Sequence, residues 1–223
     1  MNDIDNSTFD LYYVLDPMCS WCYAFADSWE SLKQQLPDDV RVHRILGGLA
    51  SDSDDPMPDA QQIGIAATWR NIESRTGVSF NHDFWELNEP RRSTYPACRA
   101  VIAAENLNTD SAETMIKRIQ QGYYQQAKNP SNVQVLCEFA EDIGIDAAVF
   151  KTEIMSDRVE QELQRQLVFA KQIGIRGFPG IVAAYKPNDD SRTRLAVVTA
   201  GYCDVETLLY NWNNCRQGLY EAE

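Results

Sequence analysis

The sequence predicts an α/β fold in which a helical subdomain, residues 51–155, is inserted between a βαβ half and a ββα half. Three observations carry this. Before residue 50, a run of β-formers, a Cys-x-x-Cys, an amphipathic helix and an alternating strand follow in order. The stretch 51–155 has helical periodicity and almost no strand signal. From 156 onward a helix, a Gly-Phe-Pro-Gly break, two short strands and a last helix restore α/β character. In this reading the outer pieces, 1–50 and 156–223, form one domain.

Each element has a local reason. Phe9 to Leu15 (FDLYYVL) is rich in β-formers, and Asp16-Pro17 ends it because proline restricts the residue before it. Trp29, Leu32 and Leu36 recur at helical spacing until Pro37. Val40 to Leu46 (VRVHRIL) alternates like a strand, and Gly47-Gly48 punctuates it. Within the insert, Asp59 opens a helix carrying Ile63, Ala66, Ala67, Trp69 and Ile72 that ends near Gly77. Pro96 suits a first helical position before Val101 and Ile102. Asp110-x-x-Glu113 has the capping-box form ahead of Met115, Ile116 and Ile119. Ser131-x-x-Gln134 has it ahead of Val135, Leu136 and Phe139, in a helix closing at Gly144. A helix over 156–173 presents Val159, Leu163, Leu167 and Ala170 on one side, with Gly174 as its cap. Ile181–Tyr185 and Leu195–Thr199 read as a hairpin across a turn at 187–190. Gly201 ends it, and Asp204 caps a final helix with Leu208, Leu209 and Trp212.

A hydrophobic fraction of 44% supplies a core and argues against intrinsic disorder. The net charge of −13 would repel nucleic acid and anionic lipid, so neither nucleic acid nor membrane is expected as a partner. Met1 to Phe9 carries Asp3 and Asp5 without a basic residue, unlike a signal peptide. No apolar stretch approaches the roughly 18–20 residues that span a bilayer. A cytoplasmic location is the expectation.

Six cysteines, Cys19, Cys22, Cys98, Cys137, Cys203 and Cys215, are too sparse for a disulfide scaffold. Cys19 and Cys22 stand apart. Cys19 falls where a strand gives way to a helix, whose unpaired N–H groups and dipole stabilise a thiolate. Cys22 lies one turn on, so the two sulfurs can meet. Cys19 is therefore the expected nucleophile toward a disulfide and Cys22 the resolving thiol. Zinc would need a second ligand pair, and His43 and His82 are far apart with no cysteine nearby. A structural disulfide is out of place in a reducing compartment. Two unrelated core cysteines would not account for the βαβ context.

The run Asp16-Pro17-Met18-Cys19-Ser20-Trp21-Cys22, with Gly177-Phe178-Pro179 before the hairpin, resembles the thioredoxin fold, and the helical insertion resembles its DsbA-like branch. Tyr95-Pro96-Ala97-Cys98-Arg99-Ala100-Val101 is similar to a motif of cytoplasmic members related to FrnE, assigned as protein-disulfide isomerases. Kappa-class glutathione transferases and hydroxychromene carboxylate isomerases are similar in layout. The resemblance covers nearly the whole chain. It implies a protein-disulfide oxidoreductase or isomerase with Cys19 as nucleophile, Cys22 as resolving thiol and Pro179 as a cis-proline opposite them. Ser20, Trp21, Phe178 and Pro179 would contact substrate, an extended segment pairing with the Phe178 backbone. Protein or small-molecule disulfides are the implied substrates. No tightly bound cofactor is implied, and glutathione is a redox partner or co-substrate. Three departures qualify this. Ser-Trp replaces the Pro-His of strongly oxidising relatives, so the Cys19 pKa should fall less far. Tyr13 stands where thioredoxins bury an aspartate, leaving Asp16 or a water to take the Cys22 proton. Gly180 follows Pro179 where threonine is common, which would widen the groove.

Other residues read as structural. Cys98, Cys137 and Cys215 sit at apolar helical positions and suit small core thiols, and Cys203 is read the same way despite lying at a helix start. Trp69, Trp85 and Tyr95 favour core packing over a groove lining. Arg91-Arg92 favours a solvated pair over a glutathione carboxylate site. Two further functions share the fold: a glutathione-dependent transferase or isomerase of the kappa type, and a binding module without turnover. The former relatives usually have a single Ser or Cys at the nucleophile position, so retention of both cysteines favours dithiol chemistry.

Overall fold

The computed structural model describes residues 8–187 and 192–221. The expectations for the N-terminal stretch before Thr8 and for the turn beyond Pro187 lie outside the described residues. Strand β1 (Thr8–Leu15) is followed by helices α1 (Ser20–Ala24) and α2 (Ala26–Lys33) and by β2 (Val40–Leu46). Strands β3 (Gly180–Lys186) and β4 (Arg194–Ala200) complete a four-stranded sheet in the order β2-β1-β3-β4. β1 and β2 are parallel, joined across α1 and α2, while β3 pairs antiparallel with both β1 and β4. This is the thioredoxin fold.

Period-two alternation sorts the sheet's two faces. Phe9, Leu11, Tyr13 and Leu15 pack with Ile181, Ala183 and Tyr185 against Phe25, Trp29 and Leu32. Leu208 and Trp212 of α10 (Val205–Glu221) close that layer. Val14 and Val182 face the other way, onto Ala170 and Ile173 at the end of α9 (Asp157–Gln172).

Between β2 and α9 lie α3 (Asp59–Thr76), α4 (Phe84–Leu87), α5 (Tyr95–Leu107), α6 (Ser111–Gln125), α7 (Val133–Asp142) and α8 (Ala147–Ile154). Their core is built on Trp69, Phe84, Tyr124, Phe139 and Phe150, all essentially inaccessible. It does not end at residue 155. Val159, Leu163 and Leu167 of α9 belong to it, as do Met18, Ala24 and Leu46 from the sheet half. The side of α9 that the sequence presents as one stripe thus divides, with Ala170 on the sheet and the other three in the helical core.

Several local expectations are corrected. Asp110 precedes α6, but its side chain makes no capping bond. Asn132, not Ser131, is the residue before α7, and the Ser131 hydroxyl instead donates to the Ser93 carbonyl at 2.7 Å. α2 stops at Lys33, short of Leu36. Asp146 caps α8 by accepting from Ala148 and Val149 N–H at 2.9 Å each, a helix the periodicity did not single out.

Gly122 lets α6 approach α7, since a Cβ there would run into the buried Phe139 ring. Gly122→Ala should gain about 1 kcal/mol in helix propensity. Overpacking should cost about 1–3 kcal/mol. The expected net result is a lower thermal midpoint by calorimetry, and a raised one would contradict this packing.

Candidate active site

The site begins where β1 runs out. After Leu15 the chain turns tightly, with Cys19 N–H donating to the Asp16 carbonyl at 3.0 Å and Met18 N–H to Asp16 Oδ1 at 2.7 Å. Cys19 is left as the residue before α1, in extended backbone conformation (φ −84, ψ 115), and its carbonyl accepts from Tyr23 N–H. Cys22 follows within the first turn. Cys19 is 5% exposed and Cys22 1%, so what little surface the pair offers belongs to Cys19. Both are free thiols.

The two sulfurs are driven apart in acidity. The Cys19 pKa is lowered, chiefly because the Cys22 thiol donates to its sulfur, and then because the backbone N–H groups of Cys22 and Trp21 do so. Burial and the nearby Asp16 charge oppose this. The Cys22 pKa is pushed well up, first by burial and then by holding its proton in the bond to Cys19. This division is the one a nucleophile and a resolving thiol require.

Across from the pair, the Phe178–Pro179 peptide bond is cis. The Cys19 thiol points at the Phe178 carbonyl over 3.9 Å, while the Pro179 carbonyl is taken by Gly201 N–H at 2.7 Å. Pro179 is buried, and Phe178, Ser20 and Trp21 are half-buried. The Phe178 ring lies over Gly47, where a Cβ would occupy its place. Gly47-Gly48 therefore does more than end β2. It makes room for the loop that faces Cys19.

Asp16 is the residue whose role the sequence least revealed. Its side chain is fully buried. Oδ1 accepts from Met18 N–H; Oδ2 accepts from Leu49 N–H at 2.6 Å, from the Thr94 hydroxyl at 2.6 Å and from the Cys98 thiol at 3.6 Å. Burial nonetheless raises its pKa against these four donors. One carboxyl thus ties the loop before Cys19 to the chain after β2 and to the start of α5. Cys98 is a core thiol, as expected, yet it is also one of those donors; burial, with the Asp16 charge next, pushes its pKa well up. The signal available in the sequence was Thr94, immediately before the Tyr95–Val101 motif.

Tyr13 is buried and stacks on Trp29 at 4.4 Å, so that position supplies no carboxylate. Trp21 meets the Tyr202 ring at 5.4 Å and the Arg75 guanidinium at 5.1 Å, neither of which the sequence reading placed at the site. Trp69 is core, Trp85 and Tyr95 pack partly buried against it, and Cys137 is buried. Cys215 and Cys203 are half-buried rather than fully so, and burial raises both thiols. Arg91 donates to the Ser131 carbonyl at 2.7 Å and to Asn132 Oδ1 at 2.9 Å, which commits it to holding the α7 entrance. Among the described residues no group of three His, Cys, Asp or Glu side chains is placed to hold a metal ion. No helix among them is long and apolar enough to cross a membrane.

A family model described as thioredoxin matches residues 12–201. The ClpXP adapter protein SpxH of Bacillus subtilis is 25% identical over 185 residues, which cover 81% of this chain and 60% of that protein. The chain thus spans about 60% of the length of such curated relatives. Among solved structures, a chain from Nitrosomonas europaea, provisionally assigned as a protein disulfide isomerase, is similar with a TM-score of 0.80 and 27% identity, covering 94% of this chain and 98% of that one. The cytosolic disulfide reductase DsbM of Pseudomonas aeruginosa is similar with a TM-score of 0.70, covering 93% and 99%; at 20% identity the likeness is one of fold.

Proposed function

The chain belongs to the thioredoxin family, in the DsbA-like form with a helical insertion, and from that premise we propose that it is a cytoplasmic dithiol–disulfide oxidoreductase working through Cys19 and Cys22. The carrying observation is geometric: Cys19 stands at the start of α1 with Cys22 in its first turn, and the Cys19 sulfur lies 3.9 Å from the Phe178 carbonyl, at the cis Phe178–Pro179 bond. In the reductive direction the Cys19 thiolate bonds to one substrate sulfur, and the other leaves as a thiolate with the electron pair. Cys22 then loses its proton and attacks Cys19, releasing the second thiolate and leaving a Cys19–Cys22 disulfide. Oxidation of a dithiol substrate is the same sequence reversed; in isomerisation a different substrate thiolate attacks the mixed disulfide, forming the new substrate disulfide and releasing Cys19 as the thiolate. Ser20, Trp21, Phe178 and Pro179 border the sulfur and are the substrate contacts. Protein or small-molecule disulfides are the substrates, with glutathione as redox partner or co-substrate.

The hydrogen-bonded pair supports dithiol chemistry over a kappa-type glutathione transferase, which needs one activated position. The curated relatives' name favours a second reading, a binding module that docks a partner without turnover. One assay separates the dithiol reading from the binding module. Reduction of insulin disulfides should disappear in Cys19→Ser, and its rate should rise with pH with a midpoint below the ordinary thiol value of 9.0. Turnover that survives Cys19→Ser defeats the dithiol reading. Partner binding that ignores the substitution, without turnover in the native protein, favours the module.

A further inference from the structure

Trp21 separates the two cysteines in sequence, and its ring brings together three distant segments. The Arg75 guanidinium, in the last turn of α3, stands 5.1 Å from the ring centre. Tyr202, in the loop between β4 and α10, meets the same ring at 5.4 Å. Trp21 and Tyr202 are half-buried and Arg75 is exposed. The result is an aromatic ledge with a cation on it, built on the residue two along from the nucleophile.

That ledge carries a cation with no ionic partner among the described residues, in an acidic chain. The protein carries 33 acidic and 20 basic residues. Several of its arginines are committed: Arg44 to Glu105, Arg99 to Asp52 and Glu160, Arg216 to Asp39. Among the described residues Arg75 has no hydrogen bond and no carboxylate partner. Asp204 acts electrostatically on Tyr202, and its Oδ1 accepts from Thr207 N–H at 2.8 Å. A guanidinium held over a ring uses its π-face and keeps its N–H edge for a planar anion, which it binds in a fork. A tryptophan that only filled space would not need a free cation, and an acidic surface would otherwise repel anionic substrates from Cys19.

We propose that Arg75, set on Trp21 and Tyr202, selects disulfides that carry a carboxylate within a few bonds of the reacting sulfur. The inference rests on the dithiol reading above and adds the substrate class. Arg75 takes the carboxylate while the Cys19 thiolate attacks the neighbouring sulfur; the displaced sulfur leaves as a thiolate, and Cys22 completes the exchange. The substrate disulfide is the oxidant, so a single turnover of the reduced protein needs no other reagent.

The test is stopped-flow single turnover of the reduced full chain with two matched pairs of probes. One pair is 3,3′-dithiodipropionate against bis(2-hydroxyethyl) disulfide; the other is a cyclic disulfide peptide with Glu beside one cysteine against the same peptide with Gln. The readout is the acid-to-neutral ratio of rate constants within a pair. In the native protein the ratio should exceed one at low salt and shrink as salt screens the contact. Arg75→Gln should lower it roughly 1.5- to fivefold, the range of an exposed ion pair, and Arg75→Lys should keep part of it. Selectivity confined to one pair supports the proposal and assigns the source, small molecule or acidic polypeptide. Equal rates within both pairs, or a ratio that Arg75→Gln leaves alone, overturn it while the dithiol reading stands. Absence of any Cys19-dependent reaction sinks both.

Discussion

Replacing Cys22 by serine should turn the protein into a trap. Cys19 can still attack a disulfide, but nothing nearby can release the product, so a mixed disulfide accumulates on Cys19. Turnover should fall by roughly 10²-fold or more, because attack from one helical turn away enjoys a high effective concentration that a free thiol in solution lacks. Mass spectrometry of the non-reduced variant after exposure to substrate should show the adduct at Cys19. The choice of replacement carries information of its own. The largest influence lowering the Cys19 pKa is the Cys22 thiol donating to its sulfur. A serine hydroxyl can replace that donor; alanine cannot. Alkylation of Cys19 should therefore titrate at higher pH in Cys22→Ala than in Cys22→Ser. Equal titration of the two variants would mean that the backbone N–H groups alone set the thiolate.

Asp16 should be the most sensitive position for stability. Asp16→Ala leaves the N–H groups of Met18 and Leu49 and the Thr94 hydroxyl without an acceptor. At about 1–3 kcal/mol for each of these three buried polar groups left unsatisfied, a total loss of about 3–9 kcal/mol is expected. Asp16→Asn is also unfavourable, because its amide N–H₂ would confront either Met18 N–H or Leu49 N–H. Urea unfolding measures both. The raised pKa fixes the sign of the pH dependence. The folded protein holds the Asp16 proton more tightly than the unfolded chain, whose carboxyl has its ordinary value of 3.8. The stability this lends is complete below that value and is lost as pH rises through the folded pKa. The gap in urea midpoint between native protein and Asp16→Asn should narrow as pH climbs from about 4 toward neutrality. A widening gap would show that the four donors outweigh burial and hold the carboxyl below its ordinary value.

The parts of this molecule that could be read from its sequence are those whose cause is local. Alternating residues, Pro17 and Gly47-Gly48 placed β1, α1 and β2, and with them the junction that holds Cys19. Ser156 and Asp204 cap α9 and α10 as their side chains allow, accepting from Val159 and Thr207 N–H. What stayed hidden depends on neighbours remote in the chain. Leu49 and Thr94, which engage Asp16, are 33 and 78 residues away. Ser131 has a good capping sequence, but the Ser93 carbonyl captures its hydroxyl. Arg75 and Tyr202 meet over Trp21 only because α3 and the β4–α10 loop converge there, a convergence that no spacing rule encodes.

Helix α9 limits how such a protein can be pared down or recombined. Splicing out the insert to recover a minimal sheet-bearing unit would strip Val159, Leu163 and Leu167 of the insert side chains that share the helical core with them. The trimmed molecule would carry a sticky seam along its own backbone support. Loss of the insert and the rewriting of α9 would have to occur together.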